Sequence, residues 1–155
     1  MAPAVHRATN AKALNAILND PSVKPYVSMF AGTIDATALV KDTNNVTIMA
    51  AGGGCLFHNI GRGQYVVHAQ FVEGRRGKYA LSVCRQAVAW LFKNTAALEI
   101  LAFIPVTAPH SAVIARYCGF EYRGLHPNAW PIPGGPLDAG FFVLPRSRWS
   151  ARHGH

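Results

Sequence analysis

The stretch from Tyr65 to Phe92 limits the folds open to this chain more than any other segment. Its first part, Tyr65–Val72, is rich in β-branched and aromatic side chains and predicts a strand. Its later part predicts a helix, because apolar residues recur there at spacings of three and four: Leu81, Cys84, Val88 and Leu91. A strand that leads directly into a helix brings the first free N–H groups of that helix to the end of the sheet. These groups and the helix dipole favour an anion.

The connection between this strand and this helix is basic and contains two glycines. It reads Glu73-Gly74-Arg75-Arg76-Gly77-Lys78, and we name it the basic turn. Its three cations lie beside the free N–H groups of the helix and favour a phosphate group. The alternative is a solvated basic turn that binds no ligand. The sequence predicts that Arg75, Arg76 and Lys78 face a phosphate.

Length and composition predict one globular domain. The chain has 155 residues, of which 50% are hydrophobic and 14% charged, so it can bury a core without disulfides or metals. The sequence contains neither an apolar run long enough to span a bilayer nor the apolar core of a signal peptide, so we expect no membrane association. The three cysteines form no CxxC pair. Cys84 and Cys118 fall in helical patterns, which predicts buried, reduced thiols and a reducing cytoplasm.

The charge balance favours an anionic partner without identifying it. The chain has fifteen Lys and Arg residues and seven Asp and Glu residues, for a formal net charge of +8. Nucleic acid, anionic lipid and a phosphate-bearing cofactor all suit such a balance. Apart from the basic turn and the C-terminal arginines the cations are scattered, which is typical of a solvated surface and disfavours nucleic acid.

The order of predicted elements indicates a mixed α/β fold. Short helices come first, with Asn10 capping one of them, and three strands of an antiparallel meander follow from Asn44. The helix after the basic turn then leads to a buried strand at Leu98–Ile104, which a right-handed crossover joins to the Tyr65 strand. A further helix and two short strands, Phe120–Arg123 and Phe141–Leu144, close the domain.

Three regions are predicted to be irregular. Residues 1–9 form a loose lead, and residues 146–155 form a basic, frayed tail. His126–Pro136 contains four prolines and two adjacent glycines, which predicts a loop anchored by Trp130. This loop and the apolar loop Pro21–Thr33 are the expected walls of an acceptor pocket, since variable loops carry specificity.

Two motifs in this order resemble the GNAT superfamily of N-acetyltransferases. Arg76-Gly77-Lys78-Tyr79-Ala80-Leu81 occupies the place of the family's Arg/Gln-x-x-Gly-x-Gly/Ala turn, and Ala112–Phe120 is similar to its helix that ends in Gly-Phe. The likeness covers about Asn44 to Leu144 and is strongest to short phage-encoded members. It implies a mixed, mostly antiparallel central sheet flanked by helices in a single domain. It also implies acetyl-CoA as co-substrate, and the host cytoplasm as the location if a phage encodes the chain.

The resemblance also implies a set of cofactor contacts. The turn's amides would hold the pyrophosphate of acetyl-CoA, and the splayed end of the preceding strand would hold its pantetheine arm. The residues carried over in this way are Phe71, Val72, Arg75, Arg76, Gly77, Lys78, Tyr79, Ala80 and Thr107. Thr107 stands where the family often has an asparagine at the head of the next helix; its alternative role is to cap that helix.

The sequence departs from the family pattern at three positions. Tyr79 and Leu81 stand where the turn has glycines, and Ala115 stands where many members have a tyrosine that protonates the departing thiolate. A bulky Tyr79 either narrows the phosphate site or points away from it. Tyr117 is the nearest alternative proton donor, although it lies about 200° round the helix from Ala115.

Acetyl transfer to an amine needs a base, and two residues near the strand are candidates. His68 lies on the strand and shares one face with Gln70 and Val72. Glu73 follows the end of the strand. The alternatives are a half-buried structural histidine and a solvated carboxylate that balances the arginines. With Tyr117 these residues make up the candidate catalytic set. A metal is not expected, since only His153 and His155 in the tail have ligand spacing.

Three functions remain open from the sequence. The first is binding of acetyl-CoA and acetylation of an amine on a small molecule or a protein. The second is a catalytically degenerate GNAT fold that binds another protein, such as a host enzyme. The third, which we rank last, is nucleic-acid binding through the basic turn and tail. The sequence does not identify the acceptor, and a homodimer through the Trp130 loop is a further expectation.

Overall fold

A computed structural model describes residues 2–27, 32–132 and 134–153 as one mixed sheet with helices on both faces. The strands are β1 (His6–Arg7), β2 (Val46–Ala50), β3 (Gly53–Gly61), β4 (Gln64–Phe71), β5 (Glu99–Pro105), β6 (Glu121–Trp130) and β7 (Leu137–Pro145). The helices are α1 (Lys12–Leu18), α2 (Lys24–Val27), α3 (Thr37–Lys41), α4 (Lys78–Asn94), α5 (Pro109–Tyr117) and α6 (Arg146–His153).

The sheet has the strand order β1-β2-β3-β4-β5-β7-β6, and every neighbouring pair is antiparallel except β4 and β5. Helix α4 connects these two parallel strands, as a parallel pair requires a long crossover. The predicted meander, the crossover helix and the buried strand after it are therefore confirmed.

Each face of the sheet buries its own apolar cluster. Helix α4 packs Val83, Ala87 and Leu91 against one face, where Phe57 and Ile100 are fully buried. Helix α1 covers part of the opposite face through Leu14 and Ile17, against Met49 and Leu56. This second layer covers β2, β3 and part of β4, and the loop that follows α1 lies beside the carboxyl end of β4. The position of that loop decides what can approach this end of the strand.

Both chain ends are more ordered than the sequence predicts. The expected loose lead is wrong at His6 and Arg7, which pair with Met49 and Ile48 as β1. The expected frayed tail is wrong at Arg146–His153, which forms α6. Trp149 explains this helix: it is the buried residue of an otherwise polar segment, and its ring lies 5.2 Å from that of Phe92. Residues 1, 154 and 155 lie outside the described part of the chain.

The expected loop at His126–Pro136 is wrong over its first half. Strand β6 continues through Trp130, although it contains Pro127. It lies at the edge of the sheet, where a proline costs no ladder hydrogen bond. Its pairing with β7 shifts register twice, and Asn128 has φ 53°. The sequence cannot show that a proline-containing strand lies at an edge. Pro133 and, in the other expected loop, residues 28–31 lie outside the described residues.

Candidate functional site

The candidate site begins where β4 and β5 stop pairing. Their parallel register includes Gln64 with Glu99, Tyr65 with Ile100 and Val66 with Leu101, and it ends there. Both strands continue, β4 to Phe71 and β5 to Pro105. The strands therefore enclose a gap that opens toward their carboxyl ends.

Backbone groups of β4 line one wall of this gap. The Val72 N–H donates to Gly52 O at 3.0 Å, so this N–H points toward β3. These directions alternate along an antiparallel strand. The N–H and C=O groups of Val67, Ala69 and Phe71 therefore point away from β3, into the gap. An extended ligand could pair with them as another strand would.

The N-terminus of α4 lies at the mouth of the gap and is not capped by the protein. Gly77 is the capping residue, with φ 72° and ψ −131°, and no side chain accepts a bond from the first turn. The first α4 bond that involves the turn is Leu81 N–H to Gly77 O, at 3.0 Å. The N–H groups of Lys78, Tyr79 and Ala80 therefore have no partner among the described residues, and α4 has no acidic residue in its first turn.

The surface above these N–H groups is open. A Cβ built on Gly74 or Gly77 would meet no atom within 4 Å. Lys78 is exposed and makes no hydrogen bond or ion pair with the described residues. An anion can therefore approach the free N–H groups with one cation beside it.

Tyr79 points away from this anion-binding surface. Its hydroxyl donates to Ala51 O at 2.6 Å, in the turn between β2 and β3. The Arg75 guanidinium lies 5.0 Å above the Tyr79 ring, and its Cγ packs against Gly52. The absence of glycine at position 79 therefore leaves the α4 N-terminus open, because the side chain is held by the β2–β3 turn.

Arg76 connects the basic turn to the loop after α1. Its Nε donates to Phe71 O at 3.2 Å, and its Nη2 donates to Ser22 O at 2.8 Å. The Glu73 N–H also donates to Ser22 Oγ, at 3.0 Å. One carbonyl of the gap is therefore occupied by Arg76, and part of the basic turn's charge is used within the protein.

A cavity of about 380 Å³ lies beside this connection, lined by Asp20, Pro21, Ser22, Val72 and Glu73. Hydrogen bonds from the Ser22 hydroxyl and N–H lower the pKa of Asp20, and the charge of Arg76 lowers it further. Asp20 is therefore ionised near neutral pH. Together with the exposed Glu73 it places negative charge next to the mouth of the gap.

His68 lies within the gap, on the sheet face that α1 covers. It lies two residues beyond Val66, where pairing with β5 ends, and it pairs with Leu56 of β3. The His68 side chain is exposed to solvent, yet nearby protein atoms partly desolvate its imidazole. Desolvation lowers its pKa below 6.5, and His58 on the neighbouring strand lowers it further. His68 is therefore neutral at pH 7 and can accept a proton.

The sequence did not predict an aromatic cluster that joins β5, β6 and β7. The ring of Phe103 lies 4.9 Å from that of Phe141 and 5.6 Å from that of His126. These three residues come from β5, β7 and β6, so only the strand order brings them together. Alternation along the strand predicts which face of the sheet carries Phe103. It does not predict which strand lies beside it.

The structure does not bring every predicted residue into this site. Tyr117 lies at the last turn of α5 and is 57% exposed, whereas β5 joins α5 at its first turn. Thr107 lies in that connection; it is exposed and does not cap α5, whose capping residue is Ala108. Ala115 is buried in the core. His68 and Glu73 thus lie near the gap, and Tyr117 lies apart from them.

No group of metal-ligating side chains occurs within the described parts of the chain. No described helix is long and apolar enough to cross a membrane.

Comparison with known families gives one match over most of the chain. Residues 32–153 match the family described as "Protein of unknown function (DUF2824)". The chain belongs to this family. No curated protein matches it.

Solved acetyltransferase structures share the fold of this DUF2824 chain. The spermidine N-acetyltransferase of Vibrio cholerae, solved with CoA and spermine, has a TM-score of 0.77 at 14% identity and covers 94% of this chain and 96% of its own. YncA of Salmonella typhimurium, a putative acetyltransferase solved with acetyl-CoA, has a TM-score of 0.75 at 16% identity, over 94% and 95%. A GNAT superfamily phosphinothricin acetyltransferase of Sinorhizobium meliloti, solved with acetyl-CoA, has a TM-score of 0.76 at 19% identity. The match covers 94% of this chain and 89% of that protein. The predicted GNAT-like fold is confirmed.

Proposed function

We propose that this chain binds acetyl-CoA at the mouth of the β4–β5 gap and transfers the acetyl group to an amine. The observation that carries the proposal is the opening of β4 and β5 beyond Val66 and Leu101, directly beneath the uncapped N-terminus of α4. Neighbours of the same fold were solved with CoA or acetyl-CoA, which supports the same co-substrate here.

The pyrophosphate is assigned to the free N–H groups of Lys78, Tyr79 and Ala80. Gly77 lets the backbone turn into the helix without a side chain above these groups. Lys78 supplies the free positive charge. Arg75 contributes positive electrostatic potential near the pyrophosphate but no direct contact, since its guanidinium is held over the Tyr79 ring.

The pantetheine arm is assigned to the gap, where Val67 and Ala69 offer backbone groups. At Phe71 the carbonyl already accepts from Arg76 Nε. A ligand that pairs at this position must displace the guanidinium or bond to the neighbouring groups instead. Val72 contributes no backbone group to the gap, because its N–H donates to Gly52 O and its C=O accepts from the Arg75 N–H.

His68 is the proposed base. In the reaction the amine nitrogen forms a bond to the acetyl carbonyl carbon, the carbon–sulfur bond breaks, and the amine loses a proton. A neutral His68 imidazole in the gap can take that proton. Asp20 and Glu73 at the rim favour arrival of a protonated amine. Ala115 offers no proton to the departing sulfur, so the proton for the thiolate comes from protonated His68 or from water.

Calorimetric titration with CoA and acetyl-CoA tests the binding proposal. We expect one site per chain, and an acetyl-CoA concentration one hundred times the Kd should stabilise the fold by about 2.7 kcal/mol. His68→Ala should leave the Kd unchanged. No binding of either compound to folded protein would refute the proposal.

Release of free thiol in the presence of amine acceptors tests turnover. Because the pKa of His68 is lowered from 6.5, kcat/KM should rise with pH below that value and then level off. The acceptor should have an amine pKa well above 6.5. Its own protonation then stays constant at low pH, and the change in kcat/KM there comes from titration of the enzyme. His68→Ala should remove that limb and lower kcat by about 10²-fold or more.

Ala115 favours one alternative, a protein that binds acetyl-CoA or a protein partner without turnover. Binding of acetyl-CoA with no thiol release across small-molecule and peptide amines would support this alternative. A partner recovered by the wild type and lost with Arg76→Glu would then assign the basic turn to protein binding.

A further inference from the structure

A second pocket lies between α4, α5 and α6, away from the basic turn. It has a volume of about 250 Å³ and is lined by Arg85, Val88, Tyr117, Cys118, Trp149, Arg152 and His153. We name it the corner pocket. Its residues come from the middle of α4, the end of α5 and the middle and last turn of α6.

Cations surround the corner pocket without a carboxylate among its lining residues. Arg85 and Arg152 come from different helices, yet both guanidinium groups are close enough to Cys118 for their charge to act on its thiol. His153 adds a third basic side chain, with its ring 5.1 Å from that of Trp149. Like charges gathered from separate elements repel one another, so a shared anion would stabilise the arrangement.

The carboxylate at the start of β6 pairs with arginines outside the corner pocket. Glu121 lies 3.3 Å from Arg123 and 3.8 Å from Arg148, and Arg148 also donates to Gly119 O. No ion pair of Arg85 or Arg152 occurs within the described residues. Arg85 gives one N–H to Tyr117 O at 3.3 Å, which leaves most of its donors available.

The backbone at Gly119 makes room for Arg152. A Cβ at this position would lie 2.5 Å from Arg152 Nη1, and Gly119 has φ 103°. The guanidinium therefore rests directly on the Gly119 backbone. The chain lacks a side chain at the one place where it would push Arg152 out of the pocket.

The remaining walls are apolar. Trp149 is buried, Val88 is buried, and burial raises the pKa of the Cys118 thiol to about 12, so Cys118 is neutral. The volume is below the roughly 300–1,000 Å³ of sites for drug-sized ligands, which limits the ligand to a small molecule.

We propose that the corner pocket binds a small oxyanion, a phosphate or carboxylate, attached to an apolar or aromatic body. The oxyanion lies between Arg85 and Arg152, and the apolar body lies against Val88 and Trp149. Arginine suits both oxyanions, because its planar fork matches their geometry. The site is distinct from the acetyl-CoA site and does not depend on it.

Calorimetric titration of the full chain with phenyl phosphate tests the proposal, with benzoate as the carboxylate arm and benzyl alcohol as the neutral control. We expect phenyl phosphate or benzoate to bind and benzyl alcohol not to bind. Arg152→Gln should weaken binding about tenfold or more, since it removes a charged hydrogen-bond donor. Arg152 makes no described hydrogen bond, so the variant is expected to fold.

Two matched variants separate this site from others. Arg116→Gln removes the same charge from an exposed position on α5 outside the pocket and should not change the affinity. Lys78→Gln weakens phosphate binding at the α4 N-terminus, so the phenyl phosphate binding that remains in this variant should be lost when Arg152→Gln is added. No binding of either aromatic anion, or equal loss with Arg116→Gln, would overturn the proposal. So would binding of an oligonucleotide through Arg85 and Arg152 when neither small anion binds.

Discussion

The two ends of α4 differ in whether the protein satisfies their free backbone groups. At the C-terminal end Thr95 donates both its N–H and its hydroxyl to Leu91 O. Arg146 donates to Phe92 O, Thr95 O and Ala97 O at 2.7–2.8 Å. At the N-terminal end Gly77 gives no cap and the first N–H groups have no described partner. One end of the helix is thus satisfied by the protein, and the other is left for solvent or a ligand. The contrast leaves the N-terminal end of α4 as the end that an anion can approach.

Arg146→Ala should have the largest effect on stability. It removes three hydrogen bonds from a charged donor and the contact of the guanidinium with the Phe92 ring. We expect the free energy of unfolding to fall by about 3–4 kcal/mol, measured by urea denaturation. CoA affinity of the folded protein should stay unchanged. Arg146→Lys should recover only part of the loss, and an equal effect on CoA binding would show that the two ends are coupled.

Gly77→Ala should strain the open end. A Cβ there meets no atom, so the cost comes from the backbone conformation alone. We expect a loss of about 1–3 kcal/mol in the free energy of unfolding. CoA affinity should fall as well, because the N–H groups lose their orientation. Retained stability and affinity would mean that the turn adopts another conformation.

Lys78→Glu should change stability and binding in opposite directions. A carboxylate in the first turn interacts well with the helix dipole and should raise the free energy of unfolding by about 0.3–1 kcal/mol. The same charge repels phosphate, so the Kd for CoA should rise about tenfold. Lys93→Glu reverses the same charge at the closed end of α4 and is the control, expected to leave the Kd unchanged. Equal effects of the two variants on the Kd would assign the effect to net charge.

Tyr79→Phe should have the smallest effect. It removes the hydroxyl that donates to Ala51 O and keeps the ring under Arg75. We expect a loss of about 0.5–1.5 kcal/mol in the free energy of unfolding and no change in CoA affinity. A weaker affinity for CoA in isothermal titration would instead place the hydroxyl at the phosphate.

The sequence predicts elements well where one face is buried. The strand at Leu98–Ile104 and the helix after the basic turn follow from apolar spacing, and the structure places β5 and α4 there. Prediction failed for α6, because Trp149 is its one described buried residue and the rest of the segment is polar. A single anchor leaves no periodic pattern to read.

The sequence predicts a candidate site at the basic turn, but it does not predict the directions of the side chains there. Arg76 is directed by Ser22 and Phe71, and Tyr79 is directed by Ala51. Ser22 is 54 residues from Arg76 in the chain, so no local pattern connects them. Tertiary contacts therefore decide which cations remain for a ligand.

The two edges of the sheet have a consequence for self-association. Strand β1 is only two residues long, and β6 is interrupted by Pro127 and by the left-handed Asn128. Neither edge offers a regular run of unpaired N–H and C=O groups to a strand of a second copy, which protects against aggregation through sheet extension. Any homodimer of this chain is therefore expected to form through side-chain packing, with each sheet ending inside its own subunit.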